Sequence, residues 1–519
     1  MSIRIALDKP PEFYTNLDFI SGRVIILLNR PETVGNIIVK LEGESRTALS
    51  IQPERREEFT TPGNSVSENH KILYRLFQVY PDDAVALSLQ PGQHEFKFNF
   101  KVPLNNICHD ARAMGAIMGV GGVGGANNAG VMGKGFRTMD GTKQLMLAHI
   151  KSTLPPSLTG FPQEAEIRYY IKVTIQRPGI FKENWRYQLG FKFLPIEPPR
   201  PDAQNREAFA RRPFAFKPRT PLSGRKSFFG SKPTNGLGGM GQTPPSIEMS
   251  ARLPFPSILT CNEPIPLRLI ARKLLPTQEQ VHLTALEIAL VGYTHVRVAN
   301  LEKTERTRWI VMSAVNLSIA LGKPTDPVDT EFELPNTLWA ARRLPNTIAP
   351  SFRTCNLMRR YEFEMRLSLS WGLPNSRQTT GLLPQILSLP LTMSKIEVFS
   401  GIKPPAQLLQ TAAAAATATT PSTGAGGRIP SNINGNSPIP RPPPRPSANG
   451  GPSMPPRPSD PLYPPQLGPD NVPSYEDAPP PSYDEAMAES LAGPLDRPAY
   501  SGVTAENAPS TMPAEKAMR

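Results

Sequence analysis

The stretch Pro91-Gly92-Gln93-His94-Glu95-Phe96-Lys97-Phe98-Asn99-Phe100-Lys101-Val102-Pro103 decides the fold class. Successive side chains of a strand point to opposite faces. Phe96, Phe98 and Phe100 therefore share one face, and Lys97, Asn99 and Lys101 share the other. A Pro-Gly turn opens the run and Pro103 closes it, which is the punctuation of a half-buried strand. His94 has no other His or Cys close by in sequence and reads as a strand-edge residue.

The same pattern extends in both directions. Upstream, Ile3, Ile5 and Leu7 alternate with Arg4 and Ala6, and short β-rich runs follow at 22–28, 37–43 and 72–77. Asn, Pro and Gly separate them, and no stretch holds a helical period over four turns. Downstream, strands resume at 167–175 and end at Arg177-Pro178-Gly179. A second β-rich block runs through 246–251, 265–271, 281–298, 309–312, 361–367 and 395–399. Tyr361, Phe363, Met365 and Leu367 alternate there with charged residues, again one wet face and one dry. The fold class is all-β: two antiparallel β-sandwich domains, 1–198 and 246–400, followed by a proline-rich tail over 401–519 that is read as disordered.

Between strands, residues 105–153 form a Gly-rich insertion. Gly119-Val120-Gly121-Gly122-Val123-Gly124 matches the dinucleotide fingerprint only formally. That fingerprint needs a buried strand before it and a helix after it, and Asp110-Ala111-Arg112-Ala113-Met114 supplies no such strand. Composition breaks at Pro198-Pro199-Arg200-Pro201, and residues 199–245 read as a basic flexible linker. Arg211, Arg212, Lys217, Arg219, Arg225 and Lys226 make it a candidate patch for an anionic lipid surface or an acidic cargo segment. Phenylalanines interleaved with this charge keep open a basic nucleic-acid-binding protein, although no nucleic-acid module surrounds them.

Three cysteines, Cys108, Cys261 and Cys355, stand far apart without metal-ligand spacing, so neither a disulfide scaffold nor a metal is expected. The six histidines do not cluster, and no nucleophile-elbow or zinc-protease motif occurs, so the chain is expected to be no enzyme and to need no cofactor. The N-terminus has no apolar stretch of signal-peptide length and no window approaches 18 apolar residues, which predicts a cytoplasmic protein with at most peripheral membrane contact.

From Lys403 onward the chain holds 26 of its 61 prolines and neither Phe nor Trp, too little apolar area for a core. All four tyrosines there, Tyr463, Tyr475, Tyr483 and Tyr500, have proline two residues earlier. Pro480-Pro481-Ser482-Tyr483 is the complete site. Polyproline II has three residues per turn, so Pro480 and Tyr483 project from one side, as a WW-domain groove requires. Val472-Pro473-Ser474-Tyr475 lacks the first proline, which makes Pro473 and Tyr475 a secondary site. Pro440-Arg441-Pro442-Pro443-Pro444-Arg445 fits a Src-homology domain or a stiff spacer equally well. Pro10-Pro11-Glu12-Phe13 reads as a turn.

The strand at 91–100, Leu154-Pro155-Pro156-Ser157-Leu158 followed by 167–173, and Ser351-Phe352-Arg353-Thr354-Cys355-Asn356-Leu357 before Tyr361 resemble elements of the arrestins, in the same order. With the tail, the chain resembles the α-arrestins, the arrestin-related trafficking adaptors. That resemblance implies an adaptor that binds a membrane transporter or receptor and brings in a HECT-type ubiquitin ligase through its WW domains. Cargo is then ubiquitinated and internalised at the plasma membrane or endosomes. A signalling scaffold without ligase recruitment is the alternative within the family. The Gly-rich insertion departs from the family's usual short connection.

Overall fold

The computed structural model describes residues 1–50, 65–80, 87–106, 152–161, 163–179, 182–201, 204–218, 243–277, 279–373, 385–410, 491–494, 496–502 and 504. The first sandwich is built from ten strands: β1 Ser2–Leu7, β2 Phe19–Leu28, β3 Glu32–Val34, β4 Ile37–Ser50, β5 Ser65–Tyr80, β6 Leu87–Leu89, β7 Gly92–Lys101, β8 Leu158–Phe161, β9 Ala165–Ile175 and β10 Trp185–Phe191. One sheet runs β1-β2-β7 and the facing one β10-β9-β4-β5, with β8 beside β9 and a small β3-β6 pair. Phe98 and Phe100 of β7 are buried and Phe96 half-buried, while Lys97 and Asn99 face solvent, as the alternation requires. Each buried ring contributes about 2–3 kcal/mol. Gly22 lets β2 lie close to its neighbours: a Cβ there would stand 2.6 Å from the Ala6 carbonyl and 2.9 Å from the Phe98 ring.

β4 is buried on both faces. Its outward Glu42 and Glu44 are roofed by Lys71, Arg168 and Tyr170; Arg168 Nη2 donates to Glu44 Oε2 at 3.0 Å and the Tyr170 hydroxyl to Glu42 Oε2 at 2.8 Å. Burial pushes the Glu44 carboxyl up, but Lys71, Tyr170 and Arg168 together outweigh it and hold the group down at about 2.

The second sandwich comprises β11 Gln204–Ala215, β12 Ser246–Phe255, β13 Ile258–Thr260, β14 Arg268–Lys273, β15 Val281–Val298, β16 Leu301–Ala314, β17 Ile319–Ala320, β18 Glu331–Glu333, β19 Phe352–Arg353, β20 Leu357–Trp371 and β21 Gln385–Phe399. Its sheets run β11-β12-β14-β18 and β13-β21-β20-β15-β16. All its pairs are antiparallel except β13 on β21. Trp339 and Trp371 fill its core, and the Trp339 indole donates to the Leu267 carbonyl at 3.0 Å. These are the two antiparallel β-sandwiches expected.

One expectation is corrected here. Residues 204–215, assigned to the flexible linker, form β11, which pairs along its length with β12 and belongs to the second sandwich. Ala208, Ala210 and Phe214 pack against the core, so strand alternation is present in a segment whose composition is that of a linker. The remaining linker residues 219–242, most of the Gly-rich insertion (107–151) and the tail from 411 to 490 lie outside the described residues. The base of the insertion is closed by the Asn105–Thr153 bridge and by the Asn106 N–H on the Ser152 carbonyl at 2.9 Å.

Candidate functional site: the domain junction and a docked C-terminal segment

Two long strands, β15 and β16, carry a hairpin from the second sandwich onto the first. Its turn at Ala299 has φ +51°, and Val296 and Val298 join the first sandwich's core. Polar contacts flank that apolar contact. Thr47 donates through its hydroxyl to the Arg297 carbonyl at 2.9 Å, and the Ala299 N–H donates to Glu68 Oε2 at 3.0 Å. Asn356, immediately before β20, accepts from the Ser45 hydroxyl at 2.7 Å and donates to the Ser45 carbonyl at 3.0 Å. Ser45, Thr47, Glu68 and Asn356 are all buried, so each of these bonds satisfies a group that would otherwise be stranded away from water.

On another side of the junction Glu197 accepts from the Gly401 N–H at 2.9 Å, and Arg200, paired with Glu197, donates to Thr260 at 3.0 Å. Gly401 has φ +83°, and a Cβ there would meet the Cys261 carbonyl at 2.6 Å, so no other residue fits this crossing without a shift. Between the sandwiches an open cavity of about 650 Å³ is lined by Leu154, Ile196, Phe352, Arg353, Tyr361 and Lys395 among others.

A third contact was not anticipated from sequence. Residues 491–494 and 496–502 return from the tail and lie across both sandwiches. Leu491 is buried against Leu17. Arg497 pairs with the Asp18 carboxylate and donates through Nη1 to the Phe13 carbonyl at 3.3 Å. Tyr500 packs on Phe13 with ring centroids 5.9 Å apart, and Lys192 Nζ lies 3.8 Å from the Tyr500 ring centroid. These partners belong to the first sandwich. Asn346 of the second donates through Nδ2 to the Ala499 carbonyl at 2.9 Å and accepts at Oδ1 from the Ser501 N–H at 2.7 Å.

The electrostatics of this contact are demanding. Burial holds the Asp18 carboxyl above its ordinary value, despite the Thr15 N–H and Arg497 beside it. Burial likewise pulls Lys192 down to about 8, and its ammonium has no hydrogen-bond partner among the described residues. The Tyr500 ring is its counterpart instead.

Of the residues singled out from sequence, Arg211 and Arg212 lie on β11, an outer strand of its sheet. Arg211 stacks over the Phe209 ring at 4.1 Å, and Arg212 donates to the Pro390 carbonyl at 3.3 Å. Lys217 follows the strand and is exposed. Arg219, Arg225, Lys226, Pro473, Tyr475, Pro480, Pro481 and Tyr483 lie outside the described residues. His94 donates through Nε2 to the Gln90 carbonyl of its own turn at 2.8 Å. Phe13, read as part of a turn, is buried and forms half of the Tyr500 seat. Among the described residues no group of three His, Cys, Asp or Glu side chains could hold a metal, and no helix is long and apolar enough to cross a membrane.

Residues 3–117 match the family described as "Arrestin (or S-antigen), N-terminal domain". The chain is also similar to an arrestin-related trafficking adapter 10 of the yeast Lachancea thermotolerans, 25% identical over 122 residues. That alignment covers 21% of this chain and 28% of the relative, so the chain spans little more than a quarter of the relative's length. The family match falls within the first sandwich, over the stretch that carries β1 to β7. Together the two matches make the first sandwich similar to an arrestin N-terminal domain.

Proposed function

We propose that this chain is a trafficking adaptor, whose two sandwiches engage the cytoplasmic part of a membrane transporter or receptor and whose tail recruits a WW-domain HECT-type ubiquitin ligase. The observation that carries the ligase half is the Pro480-Pro481-Ser482-Tyr483 sequence in a tail without Phe or Trp. Pro480 and Pro481 fill an aromatic clamp, and the Tyr483 ring enters the neighbouring pocket. The adaptor half is supported by the arrestin-type first sandwich and by the trafficking adapter to which the chain is similar. On this reading the protein works in the cytoplasm and is drawn to the plasma membrane or endosomes by its cargo, with Arg211, Arg212, Lys217, Arg219, Arg225 and Lys226 as the basic contribution.

The test is a titration of the full chain and of a 470–490 peptide against the WW domains of a HECT ligase. Tyr483→Ala is expected to cost on the order of 2 kcal/mol or more, about thirtyfold in affinity, as loss of a buried interface aromatic does. Tyr475→Ala weakens binding modestly, through effective concentration on tandem WW domains. Equal binding by wild type and Tyr483→Ala refutes the assignment.

A further inference from the structure

We infer that the outer face of the first sandwich's five-stranded sheet is a membrane-binding surface, on which Lys40, Lys172 and Arg186 take the phosphate monoester of an anionic lipid headgroup. Lys40 lies on β4, Lys172 on β9 and Arg186 on β10, strands that adjoin in the order β10-β9-β4. Alternation fixes which way they point. Val39, Leu41, Ile171, Val173, Trp185 and Tyr187 pack in or against the core, so the residues between them face outward. Register fixes the spacing: Lys40 stands directly opposite Lys172, and Arg186, opposite Thr174, is diagonal to Lys172. Opposite residues of an antiparallel pair lie about 5 Å apart at Cβ and diagonal ones about 7–8 Å, so one phosphate group is within reach of all three long side chains.

The same face also shows cations that the fold compensates. Toward the junction, Glu42 and Glu44 are enclosed by Lys71, Arg168 and Tyr170. One pleat further from the junction, no such enclosure forms. Lys40, Lys172 and Arg186 have neither an ion-pair nor a hydrogen-bond partner among the described residues; Lys40 only rests over the Tyr74 ring, its Nζ 5.6 Å from the centroid. The Tyr74 hydroxyl is itself buried and without a partner among the described residues. Like charges directly across a strand pair destabilise a sheet. Burial lowers the Lys40 ammonium, and Lys172, Lys71 and Arg186 add to that against the pull of Glu42. The fold thus holds a repulsion that an external anion relieves, and a phosphate oxygen gives the stranded hydroxyl an acceptor.

Shape favours a bilayer over a soluble ligand. Small-molecule sites are concave, whereas this is the open face of a sheet, exposed at Arg186. Leu76 of β5 stands opposite Lys40 on the same face and is 37% exposed, which sets an apolar side chain beside the cations, as surfaces lying in a headgroup layer have. The cluster is also at the free end of the face. Ser45 and Thr47, which bond to the second sandwich, are five and seven residues further along β4, about 16–23 Å away. A bilayer can therefore reach Lys40 without displacing that sandwich. The surface is on a different sandwich from Arg211 and Arg212, and it does not rest on the ligase reading.

The test is flotation of the full chain with phosphatidylcholine vesicles that carry either phosphatidylinositol bisphosphate or an equal charge of phosphatidylserine, which has no phosphate monoester. Wild type is expected to bind the first about tenfold more tightly than the second. Each Lys or Arg near an anionic surface is worth about fivefold in partitioning, so Lys172→Gln with Arg186→Gln lowers binding to the bisphosphate vesicles about thirtyfold. Lys172→Gln alone removes a cross-strand repulsion, so its Tm should be no lower than wild type, and a clear drop counts against the site. Arg211→Gln with Arg212→Gln keeps the preference for the bisphosphate. Loss of that preference there, with its retention in the Lys172 and Arg186 variant, would place the headgroup on β11 and overturn the inference. So would equal wild-type binding to both vesicles, or binding of a soluble phosphopeptide with no flotation. Absence of wild-type flotation decides against the surface whether or not the variants fold.

Discussion

Replacing Arg497 by alanine isolates the hold that the tail has on the body. The pair it breaks is half-buried: the Arg497 side chain is 27% exposed and Asp18 only 6%. Exposed ion pairs contribute up to about 1 kcal/mol, and removing one partner of a fully buried pair costs about 3–5. This geometry falls between, near the lower end because the arginine reaches water, so about 2 kcal/mol is expected. Asp18 already bears a burial cost that its contacts do not fully offset, and without the guanidinium it keeps only the Thr15 N–H at 2.8 Å. A change of 2 kcal/mol shifts the docking equilibrium about thirtyfold. Amide exchange over 491–504 in the full chain reads it directly. Protection there should drop about thirtyfold in Arg497→Ala, while amides of β2 and β15 keep theirs, because neither core is touched. The drop should shrink in high salt, which screens the exposed part of the pair. Identical protection in wild type and variant, or wild-type exchange at the free-chain rate, would refute the reasoning.

Three further outcomes follow from the packing. Gly22→Ala forces β1 and β2 apart, since the new methyl would stand 2.6 Å from the Ala6 carbonyl, and should cost about 2 kcal/mol or more of the first sandwich's stability; an unchanged Tm would contradict this. Glu44 is held at about 2 against an ordinary 4.5, so its contribution is complete above 4.5 and is lost as the pH falls toward about 2. Melting between pH 5 and 2 should therefore show a steeper acid loss in wild type than in Glu44→Gln. Lys192 titrates near 8 in the fold and near 10.5 unfolded, so the wild type gains stability as the pH rises between those values. Lys192→Met should remove that slope and leave Tm at neutral pH no lower; a large drop would mean that the contact with Tyr500 outweighs the burial cost.

The strands were legible where their signal is local. Phe96, Phe98 and Phe100 declare a half-buried strand within five residues, and Val281–Val298 emerges with the same limits in sequence and in structure. β11 was hidden because small Ala208 and Ala210 carry much of its inward face while the large Phe209 between them is exposed, so its alternation runs against side-chain size, in a segment rich in arginine. The junction was illegible for a different reason. Asp18 meets Arg497 from 479 positions away, and the hydroxyl of Ser45 finds Asn356 from 311, so no window of sequence contains either pair. Tyr500 shares its Pro-x-Tyr pattern with Tyr483, and only the fold separates it: Phe13 and Lys192 take its ring.

The return of the chain at Leu491 changes what the tail can reach. Leu408, where the chain leaves the body, and Leu491, where it comes back, pack into the same apolar site around Leu17. The intervening stretch is thus a closed loop with both feet on one spot, and it is the second foot that sets the geometry of anything caught on it. Tyr483 stands eight residues before Leu491, a contour of at most about 29 Å, whereas from Leu408 the same tyrosine could stray about ninefold farther. A ligase clasped at Tyr483 would therefore be leashed beside the joint, with its working radius fixed by the short arm of the loop. Lysines inside that radius would meet it at millimolar effective concentration, and those beyond it would be out of reach until Arg497 lets go of Asp18.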